Sequence, residues 1–97
     1  MSDREVIQNY IDEQYGGLNP KYYDMRRDYI MEYSWIHWAC EEVLMYLALI
    51  PNMSAKEVLY LLNDELVTES FLAKSQKAKM IFETGIHIVS ELIHLIN

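Results

Sequence analysis

Apolar positions along this chain recur at intervals of three and four, the spacing that gathers them on one side of an α-helix. Val6, Ile7, Tyr10, Ile11 and Tyr15 make the first stripe. Ser2 and Glu5 precede it in the S-x-x-E spacing of a capping box, which satisfies the free amides of a helix start. Gly16-Gly17 closes it, because glycine takes the left-handed conformation wanted just past a helix C-terminus. Asn19-Pro20 opens the next element with an N-cap and the residue best suited to a first turn. One helix from Pro20 to Ile50 would be about 46 Å long at ~1.5 Å per residue, too long for a compact domain of this size. Its polar face also moves. Lys21, Asp24, Arg27, Asp28 and Glu32 share one side, whereas Ser34, His37 and Glu41 lie more than a quarter turn away. A break or kink is expected between Tyr33 and Ser34.

Pro51-Asn52 stops that run, and Ser54 with Glu57 forms a second capping box, with Met53 placed to pack on Val58 as a hydrophobic staple. Val58, Leu59, Leu61, Leu62 and Leu66 continue the stripe, and an end is expected between Asn63 and Ser70. In the last segment Ser75, Ala78, Phe82, Gly85, Val89, Leu92 and Ile96 alternate threes and fours without interruption. That is the seam of a helix packed along a neighbour. A mid-helix glycine costs about 1 kcal/mol relative to alanine, so Gly85 within the seam predicts a close helix crossing. No alternating run and no Asn-Gly or Asp-Gly hairpin signal predicts a strand. The expected fold is all-α, a small helical bundle of four to five helices in a single domain, with helices over 3–15, 20–32, 34–50, 55–67 and 70–96.

Composition sharpens this picture at one place. The stretch SWIHWACEEVLMYLALI, residues 34–50, is apolar round nearly its whole circumference, and 52% of the 97 residues are hydrophobic. A helix without a wet side sits inside something. The final helix, with Ile81, Phe82, Ile86, Ile88, Val89, Leu92, Ile93, Leu95 and Ile96, is nearly half apolar as well. A chain this short buries only about two-thirds of its extended surface. A homodimer is therefore expected.

Charge narrows the choice of partner. Fifteen acids stand against eight bases, a formal net charge of −7, the opposite of what direct nucleic-acid binding requires. Lys74, Lys77 and Lys79 are the one local exception and read as a solvated cluster. Six of the eight tyrosines fall in the first third, interleaved with acids. Tyrosine gives wide apolar contact with a polar tip and few rotors to freeze. The expected interaction surface is Tyr22, Tyr23, Asp24, Asp28, Tyr29 and Glu32, joined by the exposed side of Trp35 and Trp38. Its partner would be a protein, basic or itself nucleic-acid-binding.

Catalytic chemistry finds little footing. Cys40 lies three residues from His37, but its apolar setting raises a thiol pKa and makes a poor nucleophile. A single cysteine also forbids an intrachain disulfide. Glu83, His87, Glu91 and His94 share one side of the last helix, and Glu91-x-x-His94 matches the unit used in di-iron bundles. The second such unit is missing, and this sector lies opposite the apolar seam, so His87, Glu91 and His94 are the candidate metal set of a face expected to be solvated. Asp24, Asp28 and Glu32 stack at four-residue spacing, a pattern that can hold Mg²⁺. Glu41 to Ile50, EEVLMYLALI, resembles the second metal-binding helix of the all-α nucleoside-triphosphate pyrophosphatases, which would imply a metal-dependent hydrolase. The glutamate-x-x-glutamate and glutamate-x-x-aspartate pairs of that family do not occur in this chain. No cofactor is expected. The leading expectation is a non-enzymatic acidic regulator or inhibitor, of the kind carried by phages and mobile elements, acting by binding a protein. The alternatives are a metal-dependent hydrolase or metal-binding bundle, and a structural subunit of a larger assembly. The opening MSDREVIQ lacks a basic stretch followed by an apolar run, and no charge-free run approaches the ~18 residues of a membrane span. The cytoplasm, with no membrane contact, is the expected location.

Overall fold

Four helices account for most of the chain in the structure, a computed structural model described here for residues 1–15 and 30–97, with residues 30–33 as backbone only. They are α1 (Asp3–Tyr15), α2 (Ile30–Leu49), α3 (Ala55–Leu72) and α4 (Gln76–Ile96). No strand occurs among the described residues. The small all-α bundle is therefore as expected. Its radius of gyration, 13.4 Å, matches the ~13 Å of a single domain near 100 residues.

The helix starts follow the serines. Ser2 Oγ accepts from the Glu5 amide at 3.2 Å while Glu5 Oε1 accepts from the Ser2 amide at 3.5 Å, a reciprocal capping box. Ser54 Oγ accepts from the Glu57 amide at 3.2 Å and opens α3. A third cap lies at Ser75, whose Oγ accepts from the Ala78 amide at 3.1 Å. Ser75 is thus the N-cap of α4 and not the first member of its seam. The boundary expected between Asn63 and Ser70 falls later: α3 runs on to Leu72, and the Ala73 amide donates back to Ser70 O at 3.4 Å. Nothing between Asn63 and Leu72 breaks a helix, so the chain stays helical until the next cap forces a new start.

A second expectation fails. The helix continues through Tyr33 and Ser34 without a break. Ile30–Leu49 contains neither proline nor glycine, and those residues cause most sharp kinks. Gly16-Gly17 and Asn19-Pro20 lie outside the described residues, as does the expected helix over 20–32 up to residue 29.

Joined by a connection of three residues, α3 and α4 form the most extensive pairing; α2 packs chiefly on α4 and only sparingly on α3, and α1 lies across all three. Ile7 and Ile11 of α1 meet Ala39, Cys40, Val43 and Leu47 of α2, the 58, 59, 62 and 66 positions of α3, and Ile88, Val89 and Leu92 of α4 in one core. The α4 seam holds from Ala78 onward, and Gly85 marks a close approach. A Cβ there would lie 3.2 Å from Leu66 Cδ1 and 3.3 Å from Trp38 Cζ3. α2 is not an interior rod, however. Its buried stripe is Ala39, Cys40, Val43 and Leu47, while Met45 and Leu49 face outward. A bundle of helices this short has no room for a fully central member.

Arg4 locks the assembly from one end. Its guanidinium donates to the backbone carbonyls of Leu47, of Ile50 (2.9 Å) and of Met53 (2.7 Å). It thereby takes up carbonyls at the end of α2 and one in the turn that follows.

Candidate functional site

The apolar excess emerges chiefly on α3. Tyr60, Leu61, Val67, Phe71 and Leu72 are all exposed on α3, Phe71 at 89% and Leu72 at 64%; Tyr60, Val67 and Phe71 share one flank, whereas Leu61 turns toward α2. Leu61 therefore leaves the stripe in which the sequence placed it. On α4, by contrast, only Met80 and Leu95 are exposed among the large hydrophobics.

Because α2 and α3 touch sparingly, an open trough of about 520 Å³ runs between them, lined by Tyr46, Leu49, Ile50, Leu61, Asp64, Glu65 and Thr68. Leu49, 71% exposed, forms its lip. Thr68 turns its hydroxyl to its own helix, donating to Asp64 O at 3.0 Å. A smaller hollow of about 100 Å³ continues the trough past Tyr46 and Glu65, with Trp38, Glu42, Glu69 and Phe82 in its walls. The Tyr46 hydroxyl donates to Glu65 Oε2 between the two. Among the described residues no lysine or arginine lines either hollow. Burial, then the neighbouring carboxylates of Glu65 and Glu41, raise the Glu42 pKa above the ordinary range.

The expected interface residues separate in the structure. Tyr22, Tyr23, Asp24, Asp28 and Tyr29 lie outside the described residues, and Glu32 is described only as backbone in the first turn of α2. Trp38 is half-buried, edge-on to Phe82 with ring centroids 5.8 Å apart, and its Cζ3 reaches the close approach at Gly85. Much of its surface is used in packing. Trp35 lines a different groove of about 490 Å³ with Tyr15, Ile36, Met80, Glu83, Thr84, His87 and Ile88.

The candidate metal set is divided too. His87 Nε2 lies 3.3 Å from Glu91 Oε1. Glu91 Oε2 accepts from the Tyr15 hydroxyl at 2.7 Å and from the Tyr10 hydroxyl at 3.4 Å. Glu91 thus ties α1 to α4. Burial and the Glu91 carboxylate raise the pKa of both phenols, which stay protonated as donors. His94 is exposed, and no group of three histidine, cysteine, aspartate or glutamate side chains could hold a metal ion among the described residues. Cys40 is fully buried, its thiol pushed up by burial to about 12. It remains a thiol at neutral pH and serves as a small hydrophobe. Lys74, Lys77 and Lys79 are exposed at the α3–α4 connection and the first turn of α4. Among the described residues no helix is long and apolar enough to cross a membrane.

Two signals went unread in the sequence. Arg4 falls on the stripe of Ile7 and Ile11 at spacings of three and four, and a cation in a first turn opposes its own helix dipole, so it needed a partner elsewhere. Glu91 stands beside the buried Ile88 and Leu92, at the border of the seam. No family model, no curated protein and no solved structure matches the chain.

Proposed function

We propose that the protein works by binding a partner protein, as a small acidic regulator or inhibitor without catalysis of its own. The carrying observation is the exposed row Tyr60, Val67 and Phe71 on α3, at spacings of seven and four, with Phe71 at 89% exposure and Leu72 beside it at 64%. Large apolar patches on small domains mark interaction sites, and aromatic side chains are favoured anchors in them. The net charge of −7 would act mainly on association rate and partner choice. A homodimer meeting at Phe71 and Leu72 is the simplest way to cover that end. The tyrosine- and acid-rich segment before α2 remains a second part of the proposed surface.

Sedimentation velocity together with capture from the native host tests this. A Val67→Gln, Phe71→Gln double variant should keep its helical signal and its melting midpoint, yet lose the dimer or the retained protein. The reading fails if the wild type is a single copy at high concentration and retains nothing that the variant does not.

A further inference from the structure

The trough between α2 and α3 joins an apolar floor to carboxylate walls. We propose that it receives one amphipathic helix of a partner protein, with leucine-sized anchors three and four residues apart and lysine or arginine on its flanks. This rests on the partner-binding reading above and names the class of partner for one part of that surface.

Shape is the first support. Two helices that splay apart leave a channel in which a third can lay an apolar stripe, the helix-in-groove mode of recognition. Leu49, Ile50 and Leu61 offer the floor and lip, and Leu49 is 71% exposed. Charge is the second. Glu42, Asp64, Glu65 and Glu69 stand in the walls of the trough and its continuation, with no lysine or arginine in either lining among the described residues. Tyr46 already donates to Glu65, and Glu42, Glu65 and Glu69 line the same small hollow. Cationic flanks would relieve that crowding. A second copy of the chain would not. A two-fold pairing sets the same patch against itself, and the like charges brought together would repel.

Two synthetic helical peptides test the proposal, with the same leucine positions and either lysine or glutamate flanks. Each is titrated by fluorescence anisotropy against wild type, a Leu49→Gln, Leu61→Gln variant, and a Leu95→Gln control on α4. The lysine peptide should bind wild type and the Leu95 variant alike, at least tenfold tighter than the glutamate peptide. It should lose tenfold or more on the double variant, whose circular dichroism must match wild type. Equal binding of both peptides overturns the basic partner but leaves the α3 surface reading standing. Binding indifferent to Leu49 and Leu61, or no binding by either peptide, removes the trough as the site. A dimer broken by the Leu49, Leu61 variant and untouched by changes at Val67 and Phe71 would make a second copy the occupant and also overturn the proposal.

Discussion

Arg4 near the start of α1 reaches the far end of α2 and the turn beyond it, so replacing it by methionine isolates one device that holds the bundle closed. Methionine keeps most of the apolar stem and the helix propensity. What disappears is a cation donating to the carbonyls of Leu47, Ile50 and Met53. A hydrogen bond with a charged partner contributes ~1.5–3 kcal/mol, and a cation at a helix C-terminus adds ~0.3–1 kcal/mol. The side chain is only part-buried and water can reach carbonyls at a helix end, so full addition of three bonds would overshoot. A loss of about 2–3 kcal/mol is expected. For a domain of this size that is a drop in melting temperature of roughly 10–20 °C. Arg4→Lys keeps the charge but not the fork that spans several acceptors, and should lose about half as much. Urea unfolding followed by circular dichroism gives the answer, with the midpoint falling at constant slope. A methionine variant within ~0.5 kcal/mol of wild type, the range of an ordinary surface change, would refute the clamp.

At Gly85, valine should destabilise by about 1–3 kcal/mol through overpacking against Leu66 and Trp38; a gain in the urea midpoint would show that the crossing is looser than described. Asn63 Oδ1 is buried with no hydrogen-bond partner among the described residues. Asn63→Leu should therefore stabilise by about 1 kcal/mol, and a comparable loss in the same assay would mean that the amide has a partner after all. Cys40 keeps its proton in the folded state up to about 12, whereas the ordinary thiol loses it near 9.0. Its contribution is therefore fully present below 9.0 and declines as pH rises above it, by up to ~1.4 kcal/mol per pH unit. Cys40→Ala should flatten the fall in stability just above 9.0, and an unchanged slope would contradict the buried thiol.

The local features of the sequence were legible where a short-range rule acts alone. Serine caps at Ser2 and Ser54 and the seam from Ala78 to Ile96 depend on neighbours within one or two turns. The end of α3 was misplaced because no proline or glycine marks it; the competing cap at Ser75 decides it, and Ser75 also fits the seam spacing. The break expected at Ser34 rested on a moving polar face, but a change of face is not a break, and Ile30–Leu49 has no proline or glycine to bend it. Leu61 shows another limit. Spacing puts it near the buried row, but only the sparing contact between α2 and α3 decides that it stays wet. The uses of Arg4 and Glu91 depend on partners more than 40 and 70 residues away in the chain, beyond any periodicity.

These long-range ties bear on how the trough exists at all. A gap between two helices with leucine on its lip would close in a lone bundle if α2 were free to swing, because burying Leu49 and Leu61 is favourable at ~25 cal/mol per Å² of apolar surface. Three constraints oppose that motion. Arg4 holds the α2 end and the turn after it to α1. Trp38 is wedged against Phe82 and the Gly85 approach on α4. On the α3 side the Tyr46 hydroxyl donates to Glu65 Oε2, so a phenol ring stands between the two helices. The clamp and the wedge hold α2 on the α1 and α4 sides and Tyr46 spaces it from α3, so the apolar floor is left open by the same contacts that stabilise the bundle.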